Sequence, residues 1–359
     1  MYNLKSAVPE GVIFESGSPL LVYQLSGQKV ECGFDRFYPL ELRAIPGFQK
    51  LRVVWADFGD LPFTDPYFSL TIKKAQEWPT LGRKFQTDLD VLQALAANCA
   101  SLPFAGSIFH MARTGSTLIS RLFSKIQIVS SISEYTIIDH ALLRAADWAE
   151  DDRNRLLHDV VKIVARPRRP SDRSLVLKMT DATPNTRLPF FRAAFPNVPW
   201  VFVYRDPVEV MVSMLTKPTG NVDLWLKNRA NAARFLQMPE LADASLWPAD
   251  FMARTLRGFC LEALKAAKAT PRGLFLALSY DRLPHAIWET VAPHFGVELT
   301  DREREIMQVE ARFSAKEQSQ VEFKSDRSSK IRQASSRVVA LAKEYVEPIL
   351  DEIRALPQA

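Results

Sequence analysis

The fold of this chain is decided by residues 109–119, which read FHMARTGSTLI. The stretch starts at the end of a short apolar segment, Gly106–Met111, that is predicted to be a buried strand. A tight turn with one glycine follows, and Ser116 and Thr117 then open a helix predicted to reach about Lys125. A strand, a tight turn and a helix N-terminus direct several backbone N–H groups to one point, which suits a phosphate or sulfate group.

The same stretch lacks the lysine of an ATP-binding loop. Such a loop reads Gly-x4-Gly-Lys-Ser/Thr, whereas here Ser116 follows Gly115 and no glycine stands five positions before Gly115. The cation is Arg113 instead, with its planar fork of donors. The stretch therefore favours an anion site and disfavours a nucleoside triphosphatase, while an ordinary capped helix start remains open from this string alone.

A second segment, residues 201–213 with the sequence VFVYRDPVEVMVS, supports an anion site. It places Arg205 after a predicted strand, Trp200–Tyr204, and Ser213 about two turns into a helix predicted to open at Pro207. Ligands of open α/β sheets bind at the carboxyl edge of the strands. Two anion sites on neighbouring strand ends indicate a nucleotide with two separated anionic groups.

Together the two segments resemble the nucleotide motifs of the sulfotransferase family, which uses 3′-phosphoadenosine 5′-phosphosulfate as its donor. Residues 112–118 resemble the 5′-phosphosulfate loop, in the arginine form of protein-tyrosine sulfotransferases and bacterial sulfotransferase proteins, and residues 204–213 resemble the 3′-phosphate site. Residues 276–283, LALSYDRL, are similar to the late Tyr-Glu-Asp-Leu segment of the family. The resemblance, which covers about residues 104–350, implies these donor-binding residues: Arg113, Thr114, Gly115, Ser116, Thr117, Arg205 and Ser213.

The resemblance also implies catalytic roles. Sulfuryl transfer requires in-line positioning and stabilisation of charge on the leaving oxygen, and Arg113 is expected to neutralise that charge. Glu134 stands at nearly the spacing of the base proposed for protein-tyrosine sulfotransferases, and a return strand is expected to bring it beside the loop. A capping or surface glutamate is the alternative, and His110 and His140 compete for the role of base.

Two lysines complete the expected site. Lys178 ends the predicted strand Leu175–Lys178, and a lysine at the corresponding strand end occurs in the tyrosine-type enzymes. Near residue 330 the chain lacks the Arg-Lys-Gly and Gly-x-x-Gly-x-x-Lys strings with which cytosolic family members close over the 3′-phosphate. We expect Lys330 to serve instead, with Lys324 or Arg327 as alternatives and a solvated loop as the other interpretation.

Predicted strands alternate with predicted helices from residue 101 onward, which is typical of parallel βαβ units. We therefore expect an α/β fold, with a P-loop-NTPase-like parallel sheet flanked by helices over residues 101–359. Residues 1–100 form a separate N-terminal accessory region with some β structure, including a hairpin predicted over residues 20–32. This region matches no motif that carries chemistry.

Composition limits the classes of partner and the cellular location expected for the protein. The 46 basic and 41 acidic residues give a net charge of +5, which is too small to indicate nucleic-acid binding by itself. No apolar run reaches the roughly 20 residues of a membrane span, no secretory signal is visible, and the three cysteines form no disulfide or metal pattern. A basic run at residues 166–170 is interpreted as a solvated loop. We expect a cytoplasmic protein with no metal, no membrane partner and no nucleic-acid partner.

The predicted function is sulfuryl transfer from 3′-phosphoadenosine 5′-phosphosulfate to a hydroxyl or amine on a small-molecule or peptide acceptor. Two alternatives come from other classes of protein. An ATP-dependent small-molecule kinase would need an acid that holds magnesium beside the loop. A catalytically silent nucleotide-binding protein would keep Arg205 and Ser213 without transferring sulfate to any acceptor.

Overall fold

The computed structural model describes residues 34–45, 50–78, 84–218, 220–313, 330 and 332–356. Its strands are β1 (Phe37–Ala44), β2 (Leu51–Asp57), β3 (Lys84–Asp88), β4 (Phe104–His110), β5 (Val129–Ser133), β6 (Ser174–Lys178), β7 (Trp200–Tyr204) and β8 (Phe275–Ser279). The α-helices with both ends described are α1 (Phe68–Glu77), α2 (Leu89–Asn98), α3 (Ser116–Ser124), α4 (Ile137–Arg144), α5 (Glu150–Val164), α6 (Thr183–Thr186), α7 (Leu188–Ala194), α8 (Pro207–Thr216), α9 (Gly220–Lys227), α10 (Arg229–Leu236), α11 (Pro248–Ala269), α12 (Ala292–His294), α13 (Asp301–Glu310), α14 (Ser336–Leu341) and α15 (Glu347–Ala355). Short 3-10 helices cover Phe34–Arg36, Pro239–Ala242 and Tyr280–Arg282, and π-helical turns cover Ile287–Val291 and Ala342–Val346.

Contacts along the chain divide it into two units. One unit contains residues 1–104 and 127–175, and the other contains residues 105–126 and 176–359. The predicted boundary at residue 100 stays a prediction.

The first unit contains an antiparallel sheet in the order β1-β2-β3. Its core is aromatic: the rings of Phe34, Trp55 and Phe85 contact one another, and Tyr38 packs edge-on against Phe63. Such edge-to-face pairs add about 0.5–1.5 kcal/mol each beyond the area they bury. The aromatic texture of the N-terminal region is thus explained by core packing.

The basic run at residues 166–170 also belongs to this core, so its interpretation as a solvated loop is wrong. Arg166 is buried and donates to the carbonyl oxygens of Phe34 and Phe37. Arg168 donates to the carbonyl of Gly59 and lies over the Phe63 ring, 4.5 Å from its centre. A guanidinium has five donors in a fixed fork, and these two arginines use them to tie backbone carbonyls within their own unit.

A five-stranded sheet has the order β5-β6-β4-β7-β8. In the second unit β4 pairs with β7 in parallel, with His110 opposite Val203, and β7 pairs with β8 in parallel, with Val203 opposite Leu278. Val201 and Val203 are fully buried, as expected of a parallel strand that is covered on both faces. The predicted α/β fold, a parallel sheet flanked by helices with β structure in the N-terminal part, is confirmed.

Local predictions agree with these bounds to within a few residues in most places. The strand predicted over Trp200–Tyr204 and the helix start at Pro207 coincide with β7 and α8. The sequence also predicts a helix over Pro284–Phe295, and the structure has helical turns there over Ile287–Val291 and Ala292–His294. The hairpin predicted over residues 20–32 lies outside the described residues. Among the helices that the structure describes, none combines the length and the apolar character needed to cross a membrane.

Candidate anion-binding site

The loop between β4 and α3 has a left-handed backbone at three of its five residues. The angle φ is 69° at Ala112, 55° at Arg113 and 80° at Gly115, which is the N-cap of α3. A left-handed conformation costs a residue with a Cβ atom about 1–2 kcal/mol. Two such residues in one short loop indicate a conformation that surrounding contacts maintain, and strain of this kind is concentrated at functional sites.

The hydroxyl groups of the loop lie inside the protein. Thr114 is fully buried, and among the described residues its Oγ1 atom has no hydrogen-bond partner. Ser116 and Thr117, at the N-terminus of α3, are also buried. A buried hydroxyl without a partner costs about 1–3 kcal/mol, and a bound oxyanion would accept a hydrogen bond from it. The residues present therefore fit a phosphate or sulfate group at this loop.

Arg113 joins the two sequence motifs. Its Nε atom donates to Oγ of Ser213, at 2.8 Å, although the two residues are 100 positions apart in the chain. The structure gives Arg113 no other hydrogen bond among the described residues. The sequence predicts each residue for its own anion group, and the contact between them is a finding of the structure. It places the predicted 5′ loop next to the predicted 3′ site.

Arg205 contacts Glu209 and Tyr280, which the sequence motifs do not identify. It is 5% exposed, and its Nε and Nη2 atoms donate to Oε2 of Glu209, the former at 2.7 Å. Its guanidinium also stacks on the ring of Tyr280, with Cζ 4.0 Å from the ring centre. Glu209 stands one helical turn after Arg205, so the spacing is a signal that could have identified it.

Helix α8 begins with a strong cap that orients these residues. The carboxylate of Asp206 accepts from the backbone N–H groups of Val208 and Glu209, at 2.8 and 3.4 Å, and Pro207 occupies the first helical turn, where no N–H is needed. Ser213 is 2% exposed and lies farther along the same helix. Arg205 and Ser213 are thus fixed by one rigid element and the strand end before it.

The other predicted site residues lie on other elements of the chain. Lys178 ends β6 and is buried in the same unit as Arg113. Glu134 follows β5, so the predicted return strand is present, and its φ is 55°. It belongs to the other unit, and its role as the base stays a prediction. Lys330 is helical and partly buried, and its role also stays a prediction, whereas Lys324 and Arg327 lie outside the described residues.

Both histidines that compete for the role of base are engaged in backbone hydrogen bonds. His110 is buried, its Nδ1 accepts from the N–H of Ala112, and its Nε2 lies 3.1 Å from the carbonyl of Met179. In the other unit, Nδ1 of His140 accepts from the N–H of Leu42, and burial lowers the pKa of His140 below its ordinary value of 6.5. Both imidazole rings therefore have a structural role as hydrogen-bond partners of the backbone.

No family model matches the chain, and no curated protein sequence matches it. Solved structures that it resembles include several sulfotransferases. STF9 from Mycobacterium avium is 15% identical, with 74% of this chain and 79% of that chain covered, at a TM-score of 0.42. STF1 from Mycobacterium tuberculosis H37Rv is 15% identical, with 73% of this chain and 79% of that chain covered, at a TM-score of 0.38. The sulfotransferase domain of the Synechococcus PCC 7002 olefin synthase is 14% identical, with 73% of this chain and 91% of that chain covered, also at 0.38.

At these identities and TM-scores the similarity is one of fold alone.

Proposed function

We propose that this chain is a sulfotransferase that moves a sulfuryl group from 3′-phosphoadenosine 5′-phosphosulfate to a hydroxyl or amine. The observation that carries the proposal is the hydrogen bond from Arg113 to Ser213, because it brings the two anion motifs into contact. One loop and one helix can then bind the two anionic groups of a single nucleotide. The acceptor is a small molecule or a peptide.

The loop supplies the donors that the transferred group and its leaving phosphate need. These donors are the guanidinium of Arg113, the N-terminus of α3 and the buried hydroxyl of Thr114, which has no hydrogen-bond partner in the part of the chain that the structure describes. An acceptor atom attacks sulfur as the bond from sulfur to the bridging oxygen breaks, so negative charge develops on the leaving phosphate. A positioned guanidinium offsets that charge with little reorganisation.

Arg205 supports the proposal as the anchor for the 3′-phosphate. Its position is fixed on one side by Glu209 and on one face by Tyr280. A guanidinium held in this way is pre-organised, so it loses little conformational freedom when an anion binds. Glu134 is proposed as the base that takes the acceptor proton, and Lys178 and Lys330 as further cations, on the strength of the family resemblance.

The test of the donor is a comparison of two nucleotides by thermal unfolding. Adenosine 3′,5′-bisphosphate at a hundredfold excess over its dissociation constant should stabilise the protein by about 2.7 kcal/mol, and ATP with magnesium should stabilise it much less. The missing loop lysine is the physical reason for that order. A larger effect of ATP with magnesium would indicate the kinase instead.

The test of the chemistry uses donor labelled in its sulfate and a cell extract as the source of acceptor. Arg113→Ala should lower the transfer rate about a hundredfold or more, whereas Arg302→Ala, which removes an exposed arginine of α13, should leave it unchanged. Glu134→Gln should abolish transfer but preserve binding of adenosine 3′,5′-bisphosphate. Binding without transfer to any acceptor by the unmodified protein would indicate a silent nucleotide-binding protein.

A further inference from the structure

The imidazole ring of His110 bridges two segments of the site. The ring is 4% exposed and lies at the end of β4. Its Nδ1 atom accepts a hydrogen bond from the backbone N–H of Ala112, at 3.1 Å. Because Nδ1 is an acceptor, the proton of the neutral ring is on Nε2. Nε2 therefore donates to the carbonyl oxygen of Met179, also at 3.1 Å.

The first of these bonds acts on the strained turn of the anion loop. Ala112 and Arg113 are the two residues with a Cβ atom that adopt positive φ in this loop. The bond from the N–H of Ala112 to His110 fixes the peptide that leads into the turn. Without it, the backbone would relax towards an ordinary conformation, and the guanidinium of Arg113 would lose its direction towards Ser213.

The second bond acts on the chain that leaves β6. Met179 follows Lys178 directly, and its N–H donates to the carbonyl of Ile108 on β4. Asn185 strengthens the same connection, because its Nδ2 atom donates to the carbonyl of His110, at 2.7 Å, and to the carbonyl of Asp181, at 2.8 Å. The ends of β4 and β6 are therefore tied by side chains as well as by the sheet.

We propose that His110 is a positioning residue that holds the turn of residues 111–115 and couples it to the chain after Lys178. The proposal rests on the proposed function for its catalytic consequence. In this tautomer neither nitrogen can take the acceptor proton, since Nδ1 accepts from Ala112 and Nε2 already carries a proton. His110 acts through Arg113 and Lys178 rather than on the substrate.

Two substitutions separate the two bonds. His110→Asn places an amide oxygen near the position of Nδ1 and keeps an acceptor for Ala112, whereas His110→Gln places an amide nitrogen near Nε2 and keeps a donor for Met179. We expect the asparagine variant to bind adenosine 3′,5′-bisphosphate within about threefold of the unmodified protein. The glutamine variant should bind it about tenfold more weakly, because it leaves a buried N–H unpaired. His294→Asn, which removes a histidine bonded to the carbonyl of Trp200, is the matched control and should not change this affinity.

A readout that does not depend on nucleotide is the hydrogen exchange of the Ala112 amide. It should remain protected in His110→Asn and exchange faster in His110→Gln. Equal exchange and equal affinity in the two variants would overturn the proposal, as would a loss of thermal stability with unchanged affinity in both. If the unmodified protein does not bind adenosine 3′,5′-bisphosphate, the proposed function fails, and the exchange comparison still decides the role of His110.

A measurement on the unmodified protein covers the case in which neither variant folds. The chain has five histidines, so nitrogen-15 spectra of the imidazole rings can be assigned. The spectrum should show His110 with its proton on Nε2 and with Nδ1 as an acceptor. A proton on Nδ1 at neutral pH would overturn the proposal.

Discussion

Gly115 shows how one residue sets the shape of the loop. Its φ of 80° is unfavourable for a residue with a side chain, and an added Cβ atom would lie 2.8 Å from Cδ1 of Leu283 and 3.1 Å from the ring of Tyr280. The methyl end of Leu283 can move. Tyr280 is less free because its ring stacks against Arg205. The missing side chain therefore protects the position of a predicted phosphate anchor.

Gly115→Ala should lower the free energy of unfolding by about 3 kcal/mol. This is the cost of a left-handed backbone at a residue with a side chain, plus the cost of the close contact made by the added methyl group. Gly273→Ala is the matched control, since Gly273 has a φ of 87° and nothing within 4 Å of its added Cβ atom. The control should lose only the backbone contribution, about 1–2 kcal/mol. Urea unfolding of both variants measures the difference, and an equal loss in the two would contradict the role given to the contact. Only Gly115→Ala should also weaken the binding of adenosine 3′,5′-bisphosphate.

At the residue scale the sequence proposes candidate site residues but not their partners. Motifs point to Arg113, Arg205 and Ser213, because residue types at fixed spacing around a strand end are local information. The contact from Arg113 to Ser213 and the stacking of Arg205 on Tyr280 depend on which strands are neighbours in the sheet. Local pattern does not contain that information.

His294 connects helix α12 to strand β7. Its Nε2 atom lies 3.2 Å from the carbonyl of Trp200, and burial lowers the pKa of His294 below 6.5, an effect that this hydrogen bond partly offsets. A lowered pKa in the folded state means that the unfolded state binds more protons below about pH 6.5. The contribution of His294 to stability is therefore present above that pH and is lost as the pH falls.

The free energy of unfolding of the unmodified protein should decrease between pH 7.5 and pH 5. In His294→Gln the decrease should be smaller, because glutamine keeps an N–H donor for the Trp200 carbonyl and does not titrate. Urea unfolding at the two pH values provides the comparison. Identical pH dependence in both proteins would show that His294 is not a source of acid sensitivity.

The N-cap of helix α8 is expected to affect both protein stability and nucleotide binding. Asp206→Ala removes the cap and should cost about 1 kcal/mol, and it should also weaken binding of adenosine 3′,5′-bisphosphate, because α8 carries both Glu209 and Ser213. Thr300→Ala removes a comparable cap, the capping box with Glu303 on α13. It should cost a similar amount without affecting binding. Thermal unfolding with and without the nucleotide tests both, and a parallel loss of binding in the two variants would contradict this explanation.

The bounds of helices and strands can be predicted from the sequence where particular residues specify the end of an element. Pro207 at the first helical turn and the apolar run of β7 fixed α8 and β7 from the sequence. Charged and apolar residues predict helical stretches from Ile137 to Val164 without locating a break, and the structure has two helices there, α4 and α5.

The grouping of the chain into units depends on long-range contacts. Residues 127–175 group with residues 1–104 although they are separated in sequence by the anion loop and α3. No change in composition marks residue 127 or residue 175. The sequence predicts the type of sheet and the order of its elements, but the contacts that define a unit are not visible in it.

The last helical segments pack against the helix that carries Ser213. The π-helical turn Ala342–Val346 contacts both α11 and α8, and Val346 is fully buried, whereas Val339, on α14 just before it, is 46% exposed. The same substitution at the two valines therefore compares a buried side chain with an exposed one. Val346→Ala should lower the free energy of unfolding by about 2 kcal/mol through lost burial and a cavity, and Val339→Ala should change it by less than about 0.5 kcal/mol.

If this packing holds α8 in place, stabilisation by adenosine 3′,5′-bisphosphate should also decrease in Val346→Ala and not in Val339→Ala. Urea unfolding with and without the nucleotide measures both the free energy of unfolding and its increase on nucleotide binding. Equal stability of the two variants would show that the buried valine does not anchor the end of the chain. A loss of stability with unchanged nucleotide binding would show that the segment supports the second unit without influencing Ser213.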